Sequence, residues 1–339
     1  MKRENRDLNN PANEKAKYTY RIHKKRVGRK DFKTIIADLK HIRDYEIFTG
    51  FKDFISFNDN VADKYINDMF SRELSLSYIS DNLRALREFL SWLERQRGFK
   101  KINYNHIEYL NITDNQRATA KAGEYKKAYK YEHIIKAIRL MPEATIIQRR
   151  NKAIISLQAL CGLRISELRT VKIKNLICED GVWFIYVNPK DMIVKYAKTR
   201  QADFMPLPQD IKNNVMTWLN YLTSIGFTAK DPLFPQFASQ FNQSNLLENT
   251  ITHTEIKSNT TIRGIFENTF MTAGYEYLRP HSFRHTMIRF AEKQSPEFLN
   301  AVRQSLGHSS IDVSFNSYGQ LSEGEQRARI AGFEHDFDN

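Results

Sequence analysis

Arg279-Pro280-His281-Ser282-Phe283-Arg284-His285-Thr286, followed by Leu306-Gly307-His308 and then Tyr318, is the stretch around which the chain is organised. Alone, these residues could be a polar helical surface. Upstream stands a second polar cluster at a helix break, Gly162-Leu163-Arg164-Ile165-Ser166-Glu167-Leu168. Together the two supply the parts of a site that grips a phosphodiester and attacks it with a tyrosine. His281 and Arg284 are three apart, so they share one face if the segment is helical. His308 follows Gly307 at an expected turn.

Each residue type has a chemical reason to be there. Breaking a DNA phosphodiester needs a nucleophile, cations for the phosphoryl oxygens and an acid for the leaving oxygen. A tyrosine hydroxyl has a pKa of ~10, so only about one in a thousand is ionised at neutral pH, and it needs a base or a positive field nearby. Arginine donates two parallel charge-assisted hydrogen bonds to phosphate and stays protonated. Histidine moves protons near neutral pH, and lysine can protonate a leaving alkoxide.

Outside this cluster the composition points the same way. The chain has 339 residues, enough for two domains, with 52 Lys+Arg against 39 Asp+Glu and a net charge of +13. A polyanion, nucleic acid first, is the natural partner. The two cysteines, Cys161 and Cys178, have no metal-ligand spacing, so neither a disulfide framework nor a zinc site is expected. No apolar run is long enough for a membrane span, and the charged N-terminus is no secretory signal. A cytoplasmic, DNA-associated protein is the expectation. There is no GxxxxGK[ST] loop, and no cofactor or metal is expected.

Taken in order, residues 1–31 hold eleven Lys/Arg and four Asp/Glu and read as a basic flexible tail. Residues 32–110 read as a small helical bundle. In it, Asp59 is expected to cap one helix. Ile79, Leu83, Leu86, Leu90 and Leu93 stripe a helix over 77–97 ended by Gly98. Residues 111–130 are polar and read as a linker. The second domain, 131–339, opens with helices over 132–141 and 148–160. The period then changes, giving strands over 182–187, 192–196 and 202–207 and a helix over 210–225. Residues 236–261, rich in Gln, Asn, Ser and Thr, read as a long loop, and the chain from Ile262 onward as mostly helical. The fold class expected is mainly α with a small antiparallel β-sheet.

Three boxes carry a resemblance to the tyrosine recombinase (phage integrase) family. Cys161-Gly162-Leu163-Arg164-Ile165-Ser166-Glu167-Leu168 is similar to its T-G-L-R-x-x-E-L box, with cysteine for threonine. His281-Ser282-Phe283-Arg284-His285-Thr286 resembles H-x-L-R-H-T, with phenylalanine for leucine. Leu306-Gly307-His308-Ser309 resembles L-G-H-S, with Tyr318 at the nucleophile's distance. One HxxRH alone is weak, but three boxes in this order are specific. The helical segment 74–98 also looks like the family's core-binding (SAM-like) domain, and the resemblance spans roughly residues 32–330.

The resemblance implies a helical core-binding domain followed by a mixed α/β catalytic domain, clamped on double-stranded DNA. Tyr318 would attack the scissile phosphate to give a 3′-phosphotyrosyl bond, so rejoining needs no ATP. Arg164, Arg284 and His308 would hold the phosphoryl oxygens, and His281 would assist proton transfer at the nucleophile. Lys198, eight residues before Pro206-Leu207, fits the family's acid, with Lys195 its rival. Glu167 and His285 would support the site. Self-association into a tetramer on two DNA sites is implied, with accessory DNA-bending or directionality proteins as further partners. A helix carrying Leu321, Ala328, Ile330, Ala331 and Phe333 would pack onto its own domain or a neighbouring protomer. The function implied is site-specific recombination, as the integrase or excisionase of a mobile element or phage. A type IB topoisomerase and a non-catalytic DNA-binding relative are the alternatives.

Overall fold

The computed structural model describes residues 9–116, 127–241 and 247–307. The chain divides into two compact units, Met1–Glu124 and Tyr125–Asn339.

The N-terminal unit is helical: α1 (Pro11–Arg26), α2 (Phe32–Thr49), α3 (Asp59–Ser71), α4 (Leu76–Leu93) and the short α5 (Tyr104–Ile107). Helix α1 falls where a flexible tail was expected. Asn10 caps it, accepting from the Ala12 and Asn13 amides. Its Asn13, Ala16, Lys17, Tyr20 and Lys24 form one buried stripe. Two of these five residues are lysines, which is why the stripe reads as solvated. Lys17 pairs with the buried Glu46 at 2.5 Å, and Lys24 with Asp38 at 3.1 Å and Glu88 at 2.5 Å. Buried carboxylates on α2 and a half-exposed one on α4 therefore compensate the lysines that would otherwise keep this helix in water. Tyr20 packs edge-on against Phe89 at 5.0 Å.

In α4 the expected stripe of Ile79, Leu83, Leu86, Leu90 and Leu93 is buried. Ser75 caps the helix, which ends at Leu93, earlier than expected, and Gly98 lies in the following turn with φ 95°. Asn58, one residue before Asp59, caps α3 because its side chain reaches the Val61 amide.

The second unit begins with α6 (Tyr131–Leu140), α7 (Ile146–Cys161) and α8 (Ile165–Thr170). A Thr145–Gln148 capping box starts α7. Strands β1 (Leu176–Glu179), β2 (Val182–Val187) and β3 (Arg200–Asp203) form an antiparallel sheet in that order, with Ile185 between Leu176 and Ala202. The expected strand over 192–196 is absent: Met192 is buried in a turn, and Lys195–Ala197 is one 3-10 turn. The third strand also starts earlier than expected, at Arg200.

Helix α9 (Gln209–Ser224) packs on α7. The expected loop over 236–261 is instead a hairpin of β4 (Pro235–Phe241) and β5 (Leu247–Glu255). Few apolar residues are needed to place it. Phe237 lies opposite Ile251, both pack on the core, and the Arg150 guanidinium sits 4.7 Å from the Phe237 ring. Helices α10 (Asn259–Thr272), α11 (Ser282–Ala291) and α12 (Pro296–Leu306) complete the described chain. Phe266, Phe270 and Phe283 pack edge to face at the core's centre. Both cysteines are free, Cys161 buried and Cys178 exposed. Among the described residues, no helix is long and apolar enough to cross a membrane.

Candidate active site

Gly162 sets the first part of the site. It ends α7 in the left-handed conformation, φ 54°, and its amide donates to Gln158 O. A Cβ here would lie 2.4 Å from Met287 Sδ and 2.9 Å from Leu306 Cδ2. Only glycine meets both demands. The turn buries Leu163 and puts Arg164 at the start of α8. The buried Gln158 side chain donates to Leu163 O at 2.9 Å and Pro280 O at 3.3 Å, tying together the residues just before Arg164 and His281.

Arg284, on α11, is fully buried. Its Nη1 donates to Gly162 O at 2.7 Å and its Nη2 to Leu306 O at 2.6 Å. One guanidinium thus joins all three sequence boxes. The neighbouring Phe283 enters the aromatic core against Tyr129, Phe266 and Phe270. His281 caps α11, is exposed, and meets the buried His285 ring edge-on at 5.3 Å. Thr286 Oγ1 donates to Tyr129 O at 2.7 Å.

Glu167 is the charged centre of the cluster and is fully buried. Its Oε2 accepts from the Arg164 amide at 2.8 Å, and its Oε1 from Arg164 Nη1 at 3.1 Å. Arg200, on β3, grips the same carboxylate with Nη1 at 3.0 Å and Nη2 at 2.7 Å. Burial pushes the Glu167 carboxyl up, but the hydrogen bond and charge of Arg200, followed by Arg164, hold it below the usual glutamate range. Arg200 Nε also donates to Ser305 O at 3.0 Å.

Lys198 is exposed, two residues before Arg200, and Lys195 is exposed in the 3-10 turn before it. Both stand on the connection between β2 and β3. Helix α12 ends at Gly307, φ 73°, leading into His308. His308, Tyr318 and the helix expected over Leu321–Phe333 lie outside the described residues.

The described residues thus bring Arg164, Glu167 and Arg284 together around the Gly162 turn, with Lys198 on the adjoining strand connection. His281 and His285 form their own pair at the head of α11. Two contributors escape a reading of the sequence. Gln158 is one of many polar helical residues, and nothing local marks it. Arg200 sits in Arg200-Gln201-Ala202-Asp203, too charged to look like a strand. The one available signal is alternation, which puts Arg200 on the same face as the buried Ala202.

Comparison with known proteins gives the family. The sequence model of the Phage integrase family matches residues 128–325, a span containing every one of these residues. A tyrosine recombinase of Pseudothermotoga lettingae is 21% identical, covering 73% of this chain and 79% of its own. Tyrosine recombinase XerC of Lactobacillus delbrueckii subsp. bulgaricus is 25% identical, covering 72% of each. Among solved structures, the XerH site-specific recombinase on palindromic difH DNA, a post-cleavage complex, has a TM-score of 0.64 at 18% identity. It covers 88% of this chain and 78% of its own. The Tn1549 transposon integrase bound to transposon right end DNA has a TM-score of 0.59 at 16% identity, covering 93% and 98%. With its family model matched over more than half its length, the chain belongs to the phage integrase family of tyrosine recombinases, enzymes that cut and rejoin DNA.

Proposed function

We propose that this recombinase acts through a 3′-phosphotyrosyl intermediate and serves a mobile element or phage as its integrase or excisionase. The observation that carries the reading is the bonding of Arg284, which joins Gly162 beside Arg164 to Leu306 beside Gly307-His308. Residues far apart in sequence become one cationic cluster. It suits a phosphoryl group whose charge grows during in-line attack.

In this mechanism Tyr318 Oη attacks the scissile phosphorus and loses its proton with help from His281. The P–O5′ bond breaks, and Lys198, or Lys195 in its place, protonates the departing oxygen. Arg164, Arg284 and His308 take the non-bridging oxygens, while Glu167 and His285 hold the arginine and the histidine in place. Losing one such donor typically costs on the order of 10²–10³ in rate. Rejoining runs the same steps backward from a 5′-hydroxyl. Residues 32–110 act as the core-binding domain and 131–339 as the catalytic domain, and four protomers work on two DNA sites. The net charge of +13 favours tight, salt-sensitive contact with the duplex.

Covalent trapping tests the proposal. The protein and Tyr318→Phe are expressed in cells of the source organism and denatured in SDS, and the ends of the protein-linked DNA are sequenced. Discrete ends, in the wild type alone, are expected. Scattered ends would point to a topoisomerase, and equal trapping by Tyr318→Phe would remove Tyr318 as the nucleophile.

A further inference from the structure

Arg200 belongs to none of the three boxes, yet it touches two of them. Its side chain is 8% exposed, and it holds Glu167 with two bonds and Ser305 O with a third. Gly307 lies so close that a Cβ there would be 2.7 Å from Arg200 Cδ. Glu167 therefore has two cationic partners, Arg200 and Arg164, the second through Nη1 alone at 3.1 Å.

The charge balance says what the second cation does. A fully buried carboxylate has to be compensated. With Arg200 in place, most of that compensation comes from β3. Arg164 gives Glu167 one side-chain N–H, and among the described residues no other group accepts from that side chain. The Arg164 side chain also stays 23% exposed. Without Arg200, Glu167 and Arg164 would close into a one-to-one fork, and an incoming phosphate would compete with a buried carboxylate for the same donors.

We propose that Arg200 is a positioning residue of the strand-cleaving site: by neutralising Glu167 it keeps Arg164 open to the oxygens of the scissile phosphate. This rests on Arg164 being a phosphate ligand, as proposed above. Lys198 and Arg200 then divide the work of one short segment, the first facing the leaving group and the second acting through Glu167.

A double-mutant cycle tests it. Wild type, Arg200→Met, Glu167→Gln and the double variant are compared for trapped DNA per folded protein. Arg200→Met is expected to trap about ten- to a hundredfold less than wild type. In the Glu167→Gln background the same change is expected to cost no more than about threefold. Equal losses in both backgrounds, or no loss in the first, would overturn the proposal.

Phenylglyoxal labelling of Arg164, read by peptide mass, needs no DNA cleavage. Labelling is expected to slow in Arg200→Met and to recover in the double variant, because the ion pair protects the guanidinium. Absent trapping by the wild type with this labelling pattern would sink the phosphate reading and spare the coupling. Normal trapping with unchanged labelling would sink the coupling. Should Arg200→Met not fold, Arg200→Lys is compared in both backgrounds. A loss of about three- to tenfold is expected beside Glu167 and none beside the Glu167→Gln change, since lysine keeps the charge but not the fork. Equal losses would again overturn the proposal.

Discussion

Arg200 and Glu167 meet fork to fork, Nη1 to Oε1 at 3.0 Å and Nη2 to Oε2 at 2.7 Å, with the carboxylate wholly out of solvent. The pair spans thirty-three positions of sequence and joins strand β3 to the helix that begins beside Arg164. Buried forks of this kind are costly to break from one side, because the remaining charge has nowhere to go.

Glu167 should therefore leave an acid signature in stability. Its carboxyl is held below the usual range despite burial, so its contribution is fully present above the unfolded glutamate pKa of ~4.3. It is lost as pH falls through the lower folded value. The melting temperature of the wild type is expected to drop more steeply below about pH 4 than that of Glu167→Gln. At neutral pH, Glu167→Gln should be the less stable protein, by about 3 kcal/mol, because two cations lose their counter-charge. Thermal melts across pH 3–7 on both proteins check the two statements together.

Gly162→Ala should damage fold and site at once. The left-handed backbone costs a non-glycine residue about 1–2 kcal/mol. The new methyl must also displace Met287 Sδ and Leu306 Cδ2, about 1–3 kcal/mol more. Urea unfolding is expected to show the summed loss. DNA trapping should fall further than stability does, because Gly162 O is where Arg284 is anchored.

Lys24→Met should destabilise the N-terminal unit by about 3–5 kcal/mol. It removes the nearer of two cationic partners of Asp38, whose side chain is 2% exposed and keeps only Arg84 at 3.4 Å, and one partner of Glu88. Deleting residues 1–26 should lower the melting temperature more still, since Tyr20 leaves its place against Phe89 and Trp92. A floating tail would give no change in either melt. Differential scanning calorimetry on the full chain, resolving the two units, decides it.

The helical parts of the fold were legible where one face is uniformly apolar. Helix α4 is the clear case, because Ile79, Leu83, Leu86, Leu90 and Leu93 need no distant partner to declare a face. Helix α1 was not legible, because its buried face contains Lys17 and Lys24, whose carboxylates lie on α2 and α4. The β4–β5 hairpin was missed for a related reason. Its strands are polar, and among the described residues Phe237 and Ile251 are the apolar pair that packs on the core. At the site, box order singled out Arg164, Glu167 and Arg284, and the structure bonds them through the Gly162 turn. Arg200 could not be read, since its function depends on where Glu167 ends up in space.

The inward-facing lysines of α1 have a practical consequence for handling the protein. Salt strips a basic protein from nucleic acid or heparin because exposed phosphate contacts are screened beyond about 10 Å at 0.1 M. The Lys17–Glu46 and Lys24–Asp38 pairs have side chains 10% exposed or less, and buried pairs are screened much less. A purification wash strong enough to clear bound DNA should thus leave the N-terminal unit folded. The same wash would release a helix that leaned on surface charge alone.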